Sequence, residues 1–261
     1  METLTLNNIQ ISDIIDIAKK AGTEILEVYN QKFDYELKED KSPLTEADKR
    51  SHNLITSALK AKYPDIPILS EESKSVDYTT RKNWNPFWLV DPLDGTKEFI
   101  KKNGEFTVNI ALIQDNKPIL GVVYIPVYNI TYYAIKGEGS YKQDKANTPL
   151  KLTGKTTIET DKLVIIGSRS HATQELMDFV EEKKKEFKEV EFISAGSSLK
   201  LCYIAEGKAD IYPRLGPTME WDTAAAQIVV EESGKTVKKY QSRDDLTYNK
   251  PNLLNDWFIC E

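Results

Sequence analysis

Between Phe87 and Ile135 the chain carries four apolar runs of strand length: Phe87–Val90, Thr107–Ile113, Ile119–Ile125 and Ile130–Ile135. Turn residues such as Asp115-Asn116 and Pro126 separate the later ones. Consecutive strands of this kind must form a sheet whose apolar faces are covered by other elements. The preceding residues offer the cover. Ile11, Ile14, Ile15, Ala18, Ile25 and Leu26 recur at helical spacing and predict a helix from Ile9 to Tyr29. Leu54, Ile55, Ala58 and Leu59 predict a second from Glu46 to Lys62, after a break at Ser42-Pro43. A short buried strand, Ile66 to Leu69, ends at Ser70-Glu71-Glu72, and the polar stretch from Lys74 to Pro86 reads as a loop. Phe87–Val90 is expected to stop abruptly at Asp91-Pro92, and Gly137-Glu138-Gly139 to turn the chain.

Beyond that turn the rhythm changes to alternation. Strands are expected at Leu163–Ile166, Val190–Ile193 and Asp210–Tyr212, and helices over Thr173–Phe187, Ser197–Ala205 and Asp222–Glu232, the last closed by Gly234. The expectation is an α/β chain of layered α+β type. A boundary near Asn147–Thr160 divides an N-terminal α+β part (1–150) from a C-terminal α/β part (151–261).

The formal net charge of −6 and the absence of a basic stripe disfavour a nucleic-acid polymer as partner. A small anion is still admissible, because bound cations reverse the local sign of charge. The start Met1-Glu2-Thr3 has no basic, apolar leader, and no stretch approaches the roughly 20 apolar residues of a spanning helix. Cys202 and Cys260, far apart, read as reduced thiols of a cytoplasmic protein. With only His52 and His171 in the chain, a metal here has to be held by carboxylates.

Carboxylates do gather where elements end: Asp48 in the first turn of a helix, Glu71 and Glu72 past a strand, Asp91 and Asp94 past another, and Asp222 at a helix start. Each has an ordinary explanation. Asp91-Pro92-Leu93-Asp94-Gly95 suits a plain turn, Asp222 suits a helix cap, and paired glutamates are usually just solvated. Taken together they suit Mg²⁺, which takes oxygen ligands and shares them with substrate phosphate. Asp94-Gly95-Thr96 also invites comparison with haloacid dehalogenases. Those need an aspartate nucleophile two residues earlier, where this chain has Pro92.

Trp88-Leu89-Val90-Asp91-Pro92-Leu93-Asp94-Gly95-Thr96-Lys97-Glu98-Phe99 resembles the first signature of the inositol monophosphatase superfamily. Glu220-Trp221-Asp222-Thr223-Ala224-Ala225 resembles the second, and Ser70-Glu71-Glu72-Ser73 and Thr45-Glu46-Ala47-Asp48 match its upstream segments. The resemblance spans nearly the whole chain and implies alternating αβαβα layers. It also implies two or three Mg²⁺ ions. The first would be held by Glu71, Asp91 and the carbonyl of Leu93, and the second by Asp91, Asp94 and Asp222. A third, weaker ion near Glu71, with Lys41 as a possible support, would assist activation of the attacking water. Asp48 and Thr96 would orient or deprotonate that water, and the Gly95 and Thr96 amides would cradle the phosphate.

The continuation Thr96-Lys97-Glu98-Phe99-Ile100 resembles the bisphosphate nucleotidase branch of that superfamily, as do Gly167-Ser168-Arg169-Ser170-His171 and Gly196-Ser197-Ser198-Leu199-Lys200. This implies hydrolysis of the 3'-phosphate of adenosine 3',5'-bisphosphate to AMP, with PAPS as a second candidate substrate. His171, Ser197, Lys200 and Arg214 would contact the nucleotide and its remaining phosphate. The ordinary alternative makes Lys200 and Arg214 surface charges and His171 a cap on the helix that follows. Inositol or sugar phosphatase activity on the same fold, a non-catalytic nucleotide sensor and an interaction protein are the other readings. The resemblance also implies Li⁺ sensitivity, a monomer or homodimer, and a cytoplasmic location with peripheral membrane association as an option.

Overall fold

The protein is described by a computed structural model covering residues 9–38, 43–73, 76–154, 161–168 and 173–261. The chain opens with helix α1 (Ile11–Tyr29), a small antiparallel ribbon of β1 (Tyr35–Leu37) and β2 (Pro43–Thr45), and helix α2 (Glu46–Lys62). In α1, Ile14, Ala18, Ala21, Ile25 and Val28 recur every three or four residues, and all are buried. Next come β3 (Ile68–Ser70), a single turn α3 (Tyr78–Arg81), β4 (Phe87–Asp94) and the short helix α4 (Thr96–Ile100). Five strands follow: β5 (Thr107–Gln114), β6 (Lys117–Ile125), β7 (Ile130–Ile135), β8 (Gly139–Gln143) and β9 (Leu150–Leu152).

Strands β3 to β9 form one seven-stranded sheet in sequence order, parallel between β3 and β4 and antiparallel elsewhere. Its strands alternate faces with a period of two. Trp88, Val90, Ile110, Leu112, Leu120 and Val122 pack beneath α1 and α2. Phe87, Leu89, Ala111, Ile113, Val123 and Ile125 face the other way.

The second half supplies that other cover: β10 (Lys162–Ser168), α5 (Gln174–Glu186), β11 (Glu189–Ala195), α6 (Leu199–Ala205), β12 (Tyr212–Arg214), α7 (Glu220–Glu231), β13 (Val237–Lys239) and β14 (Phe258–Cys260). Helices α6 and α7 fill the space between the large sheet and two smaller ones, parallel β10–β11 and antiparallel β12–β14–β13. Helix α5 packs outside β11. The layers therefore run αβαβα, and one core joins residues of both halves. The closest approach is at Gly121 on β6, where a Cβ would lie 2.3 Å from the Ala225 carbonyl oxygen of α7. Only glycine lets the helix backbone rest directly on the strand.

Two expectations need correction. The segment read as a loop before Phe87 contains the helical turn α3. The strand expected to stop at Asp91 instead runs on to Asp94. It pairs Asp91 with Asn109 and Asp94 with Thr107, so three steps on β4 oppose two on β5. The irregularity is a β-bulge between Asp91 and Asp94, and it contains Pro92, whose missing N–H could not have served a regular ladder.

Candidate active site

That bulge decides where the acids point. In a regular strand, residues three apart face opposite sides, so Asp91 and Asp94 would be separated by the sheet. The added residue turns both toward the same edge. The Leu93 amide donates to Asp91 Oδ1 at 3.1 Å, and Ser51 Oγ on α2 donates to the Pro92 carbonyl at 2.7 Å, fixing the turn from both sides. Gly95 then takes φ +91°, a left-handed conformation that glycine adopts without strain, and starts α4. A Cβ there would sit 3.2 Å from both the Glu105 carbonyl oxygen and Ser197 Cβ.

Two helix starts contribute the same way. Asp48 Oδ2 accepts from the Thr45 amide at 2.7 Å and the Thr45 hydroxyl at 2.6 Å, closing the first turn of α2 as a capping box. Its Oδ1 accepts from Thr96 Oγ1 at 3.3 Å. Asp222 Oδ2 accepts from the Met219 amide at 2.8 Å at the start of α7. The bland reading of Asp222 as the cap residue itself is off by three positions, because Met219 is the cap.

Carboxylate oxygens of Asp91, Asp94 and Asp222 lie within 4.8 Å of one another. Burial pushes Asp91 well above the ordinary carboxylate pKa, and Glu71, Asp94 and Asp222 push it further. Burial raises Asp94 to about 6, offset in part by Lys200 and by the Ser198 amide, which donates to its Oδ2 at 2.6 Å. Asp222 reaches about 8, from burial first and Asp94 second. Glu71 touches Asp91 and is also paired with Lys38 Nζ at 2.7 Å, a lysine that holds Glu72 as well. Burial pulls the Lys38 ammonium down, but the two glutamates outweigh it and leave its pKa raised. An all-oxygen cluster that resists carrying its own negative charge fits a hard divalent cation.

A cavity of 460 Å³ is lined by Asp94, Gly95, Thr96, Ser197, Lys200, Arg214 and Asp222, among others. Lys200 is 6% exposed, far from the surface charge of the ordinary alternative. Its Nζ donates to the Ser197 carbonyl at 2.5 Å, and burial, with Arg214 nearby, lowers its pKa to about 8. Arg214 Nη2 donates to the Pro217 carbonyl at 2.6 Å, while its buried Nε has no partner. Ser197 takes φ +42°, and its buried hydroxyl is likewise unpartnered. His171 and Lys41 lie outside the described residues.

The model of the Inositol monophosphatase family matches residues 9–256. The chain belongs to the inositol monophosphatase family. Among this member's relatives, the 3'(2'),5'-bisphosphate nucleotidase CysQ of Salmonella typhimurium is 43% identical, over 95% of this chain and 98% of its own. The protein of the same name from Buchnera aphidicola is 42% identical over 98% of this chain and 96% of its own. The crystal structure of CysQ from Bacteroides thetaiotaomicron, described as a bacterial member of the family, superposes with a TM-score of 0.87. It is 43% identical and covers 97% of both chains. An inositol monophosphatase from Thermotoga maritima shares the fold at a TM-score of 0.77 and 22% identity, over 96% of this chain and 91% of that one.

Sequence reasoning missed several groups that hold the site together. Lys38 pairs with Glu71, the Ser198 amide and Asn109 Nδ2 (3.5 Å) donate to Asp94 Oδ2, and the Ser198 hydroxyl donates to Asn109 Oδ1 at 2.9 Å. Ser198 stood within a quoted motif, but a backbone amide carries no signal in a sequence.

Proposed function

We propose that this family member is a 3'(2'),5'-bisphosphate nucleotidase, a phosphomonoesterase that removes the 3'-phosphate of adenosine 3',5'-bisphosphate and releases AMP. The observation that carries the reading is one cavity lined both by members of the acidic cluster, Asp94 and Asp222, and by two basic side chains, buried Lys200 and half-buried Arg214. A substrate with two phosphates suits a cavity that joins a cation-binding acidic cluster to cationic side chains of its own. The near full-length relatives that bear this activity in their names support the same substrate class. A role in sulfur metabolism, clearing a by-product of sulfate assimilation, follows from that substrate, and PAPS is a second candidate.

Asp91, Asp94, Asp222, Glu71 and the Leu93 carbonyl would hold two or three Mg²⁺ ions. When bound, such ions neutralise phosphoryl charge and make a water acidic enough to attack at neutral pH. The chain's own groups do the rest. Thr96 Oγ1 lies between Asp48 Oδ1 at 3.3 Å and the Leu93 carbonyl at 3.4 Å, so its hydroxyl proton is directed at an acceptor and its lone pairs toward the cavity. An attacking water donates to Thr96 Oγ1, and the buried Asp48 carboxylate takes up the proton that the hydroxyl passes on. Gly95 and Thr96 present backbone N–H groups to the phosphoryl oxygens. Lys200, Arg214 and Ser197 receive the second phosphate.

A phosphate-release panel tests this. Purified protein with Mg²⁺ should act on adenosine 3',5'-bisphosphate far faster than on inositol 1-phosphate, and EDTA should stop both. The reverse ranking overturns the substrate assignment and leaves the family membership intact.

A further inference from the structure

Asp222 sits in the first turn of α7, and what holds that turn is a segment that never reaches the cavity. Glu220 is fully buried. Its carboxylate accepts from the Asn249 amide at 2.6 Å, the Lys250 amide at 3.0 Å and Lys250 Nζ at 2.7 Å. Asn255 Nδ2 donates to the Met219 carbonyl at 2.9 Å and to Thr223 Oγ1 at 3.1 Å, gripping the residues on both sides of Asp222. The Tyr248 hydroxyl, also buried, donates to Gln227 Oε1 at 2.6 Å and lies 3.1 Å from Thr223 Oγ1. Thr223 and Gln227 are one helical turn apart, so Tyr248 fixes the rotation of α7 about its own axis. Arg81 Nη1 donates to Asn249 Oδ1 at 2.8 Å and anchors the segment to the rest of the molecule.

On its other side α7 rests on Gly121 with no space to shift. A helix held between a strand and a hydrogen-bonded strap has one position. We propose that residues 247–255 are a positioning clamp. Through Glu220, Thr223 and Gln227 they set the place of Asp222, and with it the affinity of the acidic corner for a divalent cation. Glu220, Tyr248 and Asn255 are positioning residues, since none of them lines the cavity. The inference rests on the metal-site reading above. Partners one shell removed from a metal ligand typically change affinity by about 10- to 100-fold when altered.

The test is Mn²⁺ binding to the metal-free protein, read from the free-ion electron paramagnetic resonance signal, with thermal unfolding measured beside it. Tyr248→Phe keeps the ring and deletes only the hydroxyl. It should weaken Mn²⁺ binding by about tenfold. Ile14→Val in α1, a core truncation far from the clamp, should lower the melting temperature and leave the Mn²⁺ isotherm unchanged. An isotherm of Tyr248→Phe that overlays wild type, or an equal loss of affinity in Ile14→Val, overturns the clamp. If Tyr248→Phe does not accumulate folded, Asn255→Ser decides by the same isotherm. Absence of Mn²⁺ binding in the wild type is a different failure. It removes the metal-site reading itself, and the clamp falls with it.

Discussion

Asp48 and Asp222 occupy the same place in their helices, and each gives one carboxylate oxygen to the backbone N–H three residues before it. Asparagine retains an acceptor for that N–H and loses the charge, whereas alanine loses both. Asp222→Asn should therefore melt near wild type but bind Mn²⁺ poorly, and Asp222→Ala should lose in addition about 1 kcal/mol of stability, the usual size of a lost cap. Thermal unfolding of the two variants separates the roles. Asp94→Asn should lower kcat by about 10²-fold or more, the scale of losing one charge-stabilising group at a reaction centre. Steady-state phosphate release measures it, and wild-type turnover in that variant would discard the metal scheme. The acids themselves were legible because charged residues at element ends stand out in a sequence. Lys38 was not, since its partners Glu71 and Glu72 are more than thirty residues away. The arrangement of Tyr248, Asn255 and Glu220 depends on how a late segment folds back over α7, which no local pattern encodes.

At the scale of elements, the long periodic pieces were readable from the chain. Helix α2 runs from Glu46 to Lys62 and β6 covers Ile119–Ile125, as their apolar spacing predicts. The strands that escaped notice are short. β1, β2, β9, β13 and β14 have three residues each and β8, read only as a turn at its start, has five, too few for alternation to stand out, and their pairing comes from tertiary contact. β4 was read as too short because Pro and Asp signal a turn, while a bulge allows the ladder to continue past them. The contact between β6 and α7 makes a prediction. Gly121→Val places its Cβ inside the van der Waals radius of the Ala225 carbonyl and should cost about 1–3 kcal/mol or more, seen as a lower melting temperature. Glu206, just past α6, makes another. Its burial raises its pKa, but Lys142 at 2.6 Å, Lys208 at 2.7 Å and the Tyr132 hydroxyl outweigh that and leave it below the ordinary 4.5. A carboxyl depressed in the folded state contributes stability above its unfolded pKa and loses it as pH falls through the folded one. The part of the stability due to Glu206 should thus fade on acidification below about 4.5, so the stability difference between wild type and Glu206→Gln should narrow in denaturant melts taken across the acid range.

Over the whole molecule, the cavity lies at the seam between the large sheet and the second half. Asp91 and Asp94 come from β4, and Lys200, Arg214 and Asp222 come from the later layers. If the basic side chains receive the second phosphate, Lys200→Met should raise KM for adenosine 3',5'-bisphosphate by about tenfold or more, the cost of a lost charge-assisted contact. It should change KM for a simple monoester such as p-nitrophenyl phosphate much less. Equal effects on both substrates would place Lys200 at the scissile group instead. None of the described helices is long and apolar enough to cross a membrane. If the site draws on positions 48 and 222 alike, as proposed, it cannot exist in a partly synthesised chain. While the ribosome is still extending the polypeptide, the emerging segments can collapse and pair, yet they remain unable to turn over a nucleotide until α7 has been made and seated. Turnover is in that sense a report on completed folding, and a refolding assay that follows the return of phosphate release would time the docking of the last helix against the sheet.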